Sequence, residues 1–348
     1  MNNLSVSKLV GSSTYLAIAD DSLKDEDNAA WVMELEPEVR HAWINSIGWI
    51  RLVDRLAETE LLDVERDEFQ QFQEGWEWLM ATGKPQPISK YRKIFQGMRE
   101  RWFEDVANPA NQLAIQSWDR YVQAISTYHR EKLIFENCQQ FEQMLQGLGA
   151  SFFQVFPFVE AHQWRMIGSF GAVDQFYNIL RDLREDAEQG ICYLPSDVLE
   201  RFGVSRQEML ELRAYSNPGY RPMMQFWLHD YLPQLYRTVY PFILASDLHP
   251  SWRILRDWSL IRYKRIERIF RRCDYDYVRF PQVYWREVKR DLVLSMPGRY
   301  GKPTMSDRST EQAGSSGKSL AFPNRKCKLT QLMEQSGGAR FAPMTVAS

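Results

Sequence analysis

The chain has 348 residues, of which 44% are hydrophobic, 25% charged and 14% aromatic. That composition excludes a disordered chain, a collagen-like chain and a small disulfide scaffold. The net charge of −2 leaves no global basic field for nucleic acid.

Cys138, Cys192, Cys273 and Cys327 lie far apart with no CxxC or Cys/His cluster, which argues against structural zinc and reads as reduced thiols in a cytoplasmic chain. The five histidines are scattered without ligand spacing. No run of about 18 apolar residues is present to span a bilayer as a helix. The 12 Trp and 16 Tyr suit either a well-packed helical core, or rings around a roomy apolar cavity or on a membrane-touching surface.

In chain order, residues 1–28 read as a polar arm ending in the acidic patch Asp20–Asp27. From Pro37 the pattern is helical, with Val39, Trp43, Ile47 and Ile50 on one face. Helices are then expected over Glu65–Thr82, Lys90–Val106, Gln112–Glu131, Glu136–Phe153, Gln163–Gln189, Ser205–Tyr215, Arg221–Ala245, Trp252–Cys273 and Pro281–Ser295. Turn chemistry separates them at Gly83–Pro87, Asn108-Pro109, Pro195–Asp197 and Ser216–Gly219. No alternating strand pattern and no fixed-period repeat is visible. The expected fold is all-α, one helical domain over residues 29–296, with about ten helices. Residues 297–348 lose apolar periodicity and carry eight Lys and Arg against three acids, the profile of a basic, disordered tail. Such a tail is either solvated or in touch with anionic lipid.

Two stretches carry candidate chemistry. On a helix, Gln175, Asn178, Asp182, Glu185, Asp186 and Gln189 step by three and four into one polar stripe. Asp182 and Asp186 set two carboxylates one turn apart, which suits a hard cation such as Mg²⁺ with substrate phosphate. The same spacing also suits a solvated face neutralised by Arg181 and Arg184. Upstream, Arg51, Asp54, Arg55 and Glu58 share a face, and Asp54 and Glu58 repeat the carboxylate spacing. Downstream, Arg262–Arg272 is a basic helix with interleaved apolar residues, either membrane-facing or solvated.

The run Asn178-Ile-Leu-Arg-Asp182-Leu-Arg-Glu-Asp186-Ala-Glu-Gln-Gly190-Ile-Cys-Tyr193-Leu-Pro195, followed by Leu199-Glu-Arg-Phe-Gly203-Val, resembles the second aspartate-rich motif of the squalene/phytoene synthases. Arg51, Asp54 and Glu58 fall where that family has its first such motif. Trp258–Tyr263 and Tyr275–Val278 resemble its closing helices, so the likeness runs from about Asn28 to Leu294. It implies an isoprenoid-synthase-like helical bundle around a central cavity. It also implies Mg²⁺-dependent, head-to-head condensation of two allylic prenyl diphosphates (farnesyl or geranylgeranyl diphosphate) in isoprenoid or carotenoid biosynthesis. By the same resemblance Asp54, Asp182 and Asp186 are catalytic and hold metal with Glu58, while Arg51, Arg55, Gln175, Asn178 and Arg181 bind substrate. Peripheral contact with a membrane would receive a long prenyl product.

The chain departs from the family pattern at three places. Arg55 and Glu58 replace acids of the first motif, Asp25–Asn28 stands where a Ser/Phe element is expected, and Asn137–Gly149 lacks the family's tyrosines. These departures leave a second reading, a catalytically weakened homologue that binds prenyl diphosphate or a partner enzyme.

Overall fold

The structure is a computed structural model that describes residues 31–32, 35–60, 68–128 and 133–295. The expected N-terminal arm and basic tail lie outside the described residues, as does Cys327. Among the described residues every regular element is helical.

Several helices begin where local chemistry starts them. Helix α1 (Pro37–Glu60) and α4 (Pro109–Tyr128) open on proline, whose missing N–H costs nothing in a first turn. Between them lie α2 (Glu68–Thr82) and α3 (Arg92–Met98), the latter running into a π-turn at Arg99–Phe103. Helix α5 (Cys138–Met144) is capped by the Asn137 side chain, which accepts from the Gln140 N–H. A π-segment at Leu145–Ala150 joins it to the short α6 (Ser151–Gln154).

Helix α7 (Trp164–Glu188) follows, then α8 (Ser196–Arg201) and α9 (Arg206–Leu210), which Ser205 and Glu208 start with a reciprocal capping box. The turn expected at Pro195–Asp197 instead launches α8, with Pro195 in extended conformation as the residue before its first turn. The last part comprises α10 (Tyr220–Gln225), a π-segment at Phe226–Tyr231, α11 (Leu232–Leu244), α12 (Pro250–Arg272) and α13 (Phe280–Ser295).

Helix α7 is the axis of the bundle. It packs against the Leu145–Ala150 segment, α6, α11, α12 and α13. Its buried residues include Ile167, Phe170, Val173, Phe176, Ile179, Leu180 and Leu183, which lie on more than one side, as expected of a helix inside a core. Two glycines bring it close to the π-segment. A Cβ on Gly171 would lie 2.1 Å from the Gly149 carbonyl oxygen, and one on Gly149 would lie 2.4 Å from that of Gly171. The sequence reads Glu136–Phe153 as one continuous helix, but here the chain widens into π-geometry where Gly149 permits the close crossing with Gly171. At the far end, Gly190 adopts φ +78° and the Ile191 N–H donates to the Asp186 carbonyl, which closes α7 directly below its last acidic residues.

The aromatic content goes into packed clusters. Trp43, Trp76, Trp118, Trp227 and Trp252 are fully buried. Trp43 meets Trp252 at 5.1 Å between ring centroids, and Trp118 meets Trp102 at 6.0 Å.

Gly171→Ala should destabilise the bundle by about 1–3 kcal/mol, because its methyl meets backbone that cannot turn aside. Urea unfolding followed by far-UV circular dichroism measures it. An unchanged midpoint would mean that the crossing has slack.

Candidate functional site

The first acidic stretch lies on α1. Arg51 and Asp54 are one turn apart, with Arg51 Nη1 3.5 Å from Asp54 Oδ2. The Tyr121 hydroxyl, on α4, donates to Asp54 Oδ1 at 2.6 Å. Asp54 is therefore held between a guanidinium on its own helix and a phenol on α4. Arg55 is exposed beside it, and the Glu58 side chain lies outside the described set. Tyr121 is absent from the sequence reading. Its only signal there is a tyrosine within an amphipathic helix, and that spacing does not say which face meets α1.

The second stretch lies in the C-terminal half of α7. Arg181 Nε donates to Asp182 Oδ1 at 2.7 Å and Nη2 to Oδ2 at 2.6 Å, a bidentate pair between sequence neighbours. Arg181 is 8% exposed and Asp182 21%. Asp182 is thus not one half of an unrelieved like-charge pair with Asp186. Arg184 turns away to Glu188 and the Val278 carbonyl. Of the two arginines that the spacing offered as neutralising groups, Arg181 takes this role for Asp182. Gln175 lies against the Gly149 crossing.

One turn before Asn178 is a residue outside the predicted stripe. Asp174 and Arg262 form an ion pair in which each side chain is only 7% exposed. Tyr263 also donates to Asp174 Oδ1, and Asn178 Nδ2 donates to Oδ2 at 3.1 Å. Asn178 Oδ1 is buried with no hydrogen-bond partner in the protein. Beside this set, the Tyr177 ring stacks on Tyr263 at 4.2 Å and 3°. The Tyr177 hydroxyl donates to Glu267 Oε1 at 2.6 Å and lies 3.1 Å from the Tyr236 hydroxyl. Burial pushes the Tyr177 and Tyr263 phenols well above their ordinary value, and the negative charges of Glu267 and Asp174 add to it. Both remain hydroxyl donors.

The basic segment Arg262–Arg272 is largely accounted for inside the protein. Arg262 and Arg265 are buried, Arg268 and Arg272 pair with Glu287 of α13, and Arg271 pairs with Glu267. These pairs hold α12 to α13 and to itself, while the side chains of Arg268, Arg271 and Arg272 stay about half exposed. Among the described residues, no helix is long and apolar enough to cross a membrane.

The donor chemistry suits a hard cation. Asp54, Asp182, Asp186 and the orphaned Asn178 Oδ1 offer oxygen donors, the type that Mg²⁺ takes. Among the described residues no three His, Cys, Asp or Glu side chains converge on one point. A Mg²⁺ ion held by so few protein oxygens would need phosphate and water to complete its shell.

The fold is that of the all-helical isoprenoid synthases. A dehydrosqualene synthase crystallised with ligand superposes with a TM-score of 0.55 at 17% identity, covering 83% of this chain and 94% of the other. Squalene synthase HpnC from Alicyclobacillus acidocaldarius does so with a TM-score of 0.56 at 16% identity, covering 75% and 94%.

Residues 23–289 match the squalene/phytoene synthase family model, and the chain belongs to that family. It is similar to 15-cis-phytoene synthase of Synechocystis sp., 41% identical over 109 residues, and to that of Synechococcus elongatus, 33% identical over 115. These alignments take in 31% and 32% of this chain, and span only about a third of each relative (31% and 34%).

Two outcomes follow from the polar contacts. Asp182→Asn should lower stability by about 1 kcal/mol, because it leaves a buried guanidinium with a weaker acceptor. Thermal unfolding reads this, and a gain in midpoint would restore the like-charge account of Asp182 and Asp186.

The buried phenols also predict an alkaline limit. A phenol whose folded value is raised stabilises the fold fully below its unfolded value of 10.0, and that contribution is lost as pH rises through the folded value. Tyr177, Tyr220 and Tyr263 should therefore form tyrosinate only together with loss of helical circular dichroism above that pH. Complete tyrosinate absorbance from a chain that is still helical would refute it.

Proposed function

We propose that this chain is a Mg²⁺-dependent prenyltransferase that joins two allylic prenyl diphosphates head to head, in the manner of phytoene or squalene synthase. The observation that carries the reading is the row Asn178, Asp182, Asp186 on successive turns of the buried helix α7, with a hard oxygen at each turn and the first of them lacking any protein donor. Family membership and the phytoene synthase relatives support the reaction class.

In this reading Asp182 and Asp186 hold the metal, with Asn178 Oδ1 as a neutral ligand. Arg181 uses two of the roughly four lone-pair positions on Asp182, which leaves the others for a cation. Bound Mg²⁺ supplies charge neutralisation to the departing diphosphate. Asp54, steadied by Tyr121, supplies a third carboxylate, and Arg51 and Arg55 offer guanidinium groups to diphosphate oxygens. The packed aromatic interior excludes water from the reacting carbons. Farnesyl and geranylgeranyl diphosphate are the proposed substrates.

A second reading, binding without turnover, is favoured by one observation: both oxygens of Asp54 face donors from the protein itself, and Arg55 stands beside it in place of an acid.

Incubation of purified protein with Mg²⁺ and either diphosphate should release pyrophosphate and yield an extractable hydrocarbon with twice the substrate's chain length, by loss of protons in a phytoene-type reaction or, with a nicotinamide hydride donor added, by reduction in a squalene-type one. Chelation of Mg²⁺ should abolish it. Asp182→Asn should cut turnover by about 100-fold or more, the scale on which removal of one stabilising group in an active site is felt. Tight Mg²⁺-dependent binding of diphosphate with no hydrocarbon would leave the second reading in place.

A further inference from the structure

Asp174, Asn178, Asp182 and Asp186 form one continuous i, i+4 row along α7, but the first member has a different environment from the rest. Its Oδ1 receives the Arg262 guanidinium and the Tyr263 hydroxyl, both from α12, and its Oδ2 receives the Asn178 amide. With its charge neutralised and both oxygens engaged, Asp174 is poorly suited to hold a metal.

What it can do is set the amide. A carboxylate has no proton to give, so the Asn178 atom 3.1 Å from Oδ2 is the nitrogen. The Asn178 oxygen must then point the other way, and that is the buried acceptor with no donor in the protein. Without Asp174, the terminal torsion of asparagine is roughly two-fold, and an NH₂ group presented to a cation opposes binding.

We infer that Asp174, clamped by Arg262 and Tyr263, is a positioning residue that locks the Asn178 amide with its carbonyl oxygen toward the metal–diphosphate site. The inference rests on the functional reading above. Outer partners of this kind change metal affinity by about 10- to 100-fold when removed.

The test uses the full chain, inorganic pyrophosphate and MgCl₂, read by isothermal titration calorimetry. Asp174→Leu and Arg262→Leu are made together, since removing one member alone strands a buried charge. The double variant should bind pyrophosphate in Mg²⁺ about 10-fold or more weakly than wild type. Adding Asn178→Asp to it should restore affinity, because both oxygens of a carboxylate are acceptors and no orientation is needed. The same Asn178→Asp change in the wild-type background should weaken binding, because it sets a second carboxylate against Asp174. A merely structural role for Asp174 predicts no such reversal.

An independent readout needs no stable double variant. In ¹⁵N-labelled wild type, the side-chain NH₂ signal that disappears in Asn178→Asp should show protected exchange. An unprotected signal, wild-type affinity in the double variant, or failure of Asn178→Asp to restore binding there would each overturn the positioning role alone. Wild type that binds no pyrophosphate in Mg²⁺ would overturn the functional reading and this inference with it.

Discussion

Helix α7 carries Asp174 and Arg181 to positions where each side chain is less than a tenth exposed. A charge stranded there would cost several kcal/mol. Each is met by a partner, though from different distances in the chain. Arg181 closes on its neighbour Asp182, whereas Asp174 needs Arg262 and Tyr263 from a helix almost ninety residues later. The docking of α12 onto α7 is therefore tied to satisfying one buried carboxylate. The stacked Tyr177–Tyr263 pair and the Tyr177–Glu267 hydrogen bond extend the same contact along the two helices.

The other side of α7 is set by shape rather than charge. Gly149 and Gly171 let two backbones approach more closely than any side chain would allow, and the π-geometry of Leu145–Ala150 accompanies that approach. One flank of α7 is fixed by this crossing and another by the Asp174 network, and Arg181 holds Asp182 within the Asn178–Asp186 row. Such rigidity suits a site whose ligands need a defined direction.

The two acidic stretches are stabilised in different ways. Asp54 depends on a phenol and a guanidinium that reach it from α4 and α1, while Asp182 is paired within its own turn. In the proposed reading, a diphosphate carrying Mg²⁺ would supply both the charge and the oxygens that these two stretches lack.

Helical periodicity and the aspartate-rich motif were legible in the sequence because each is a local property: a face, or a run of residues on one helix. They determined the all-α class, most helix positions and the placing of Asp182 and Asp186 one turn apart on α7. Helix α8 was missed because the turn signal at Pro195 also serves as a helix start. The π-segment at Leu145–Ala150 was missed because its cause is a glycine in another helix. Tyr121 beside Asp54, Arg262 on Asp174 and the direction of the Asn178 amide depend on residues 67, 88 and 4 positions away, respectively. Asp174 sat in plain view four residues before Asn178, yet nothing local distinguishes a solvated acid from one clamped by a distant arginine. Tertiary structure alone decided that, because burial converts a charge from a soluble surface group into one that must find a partner.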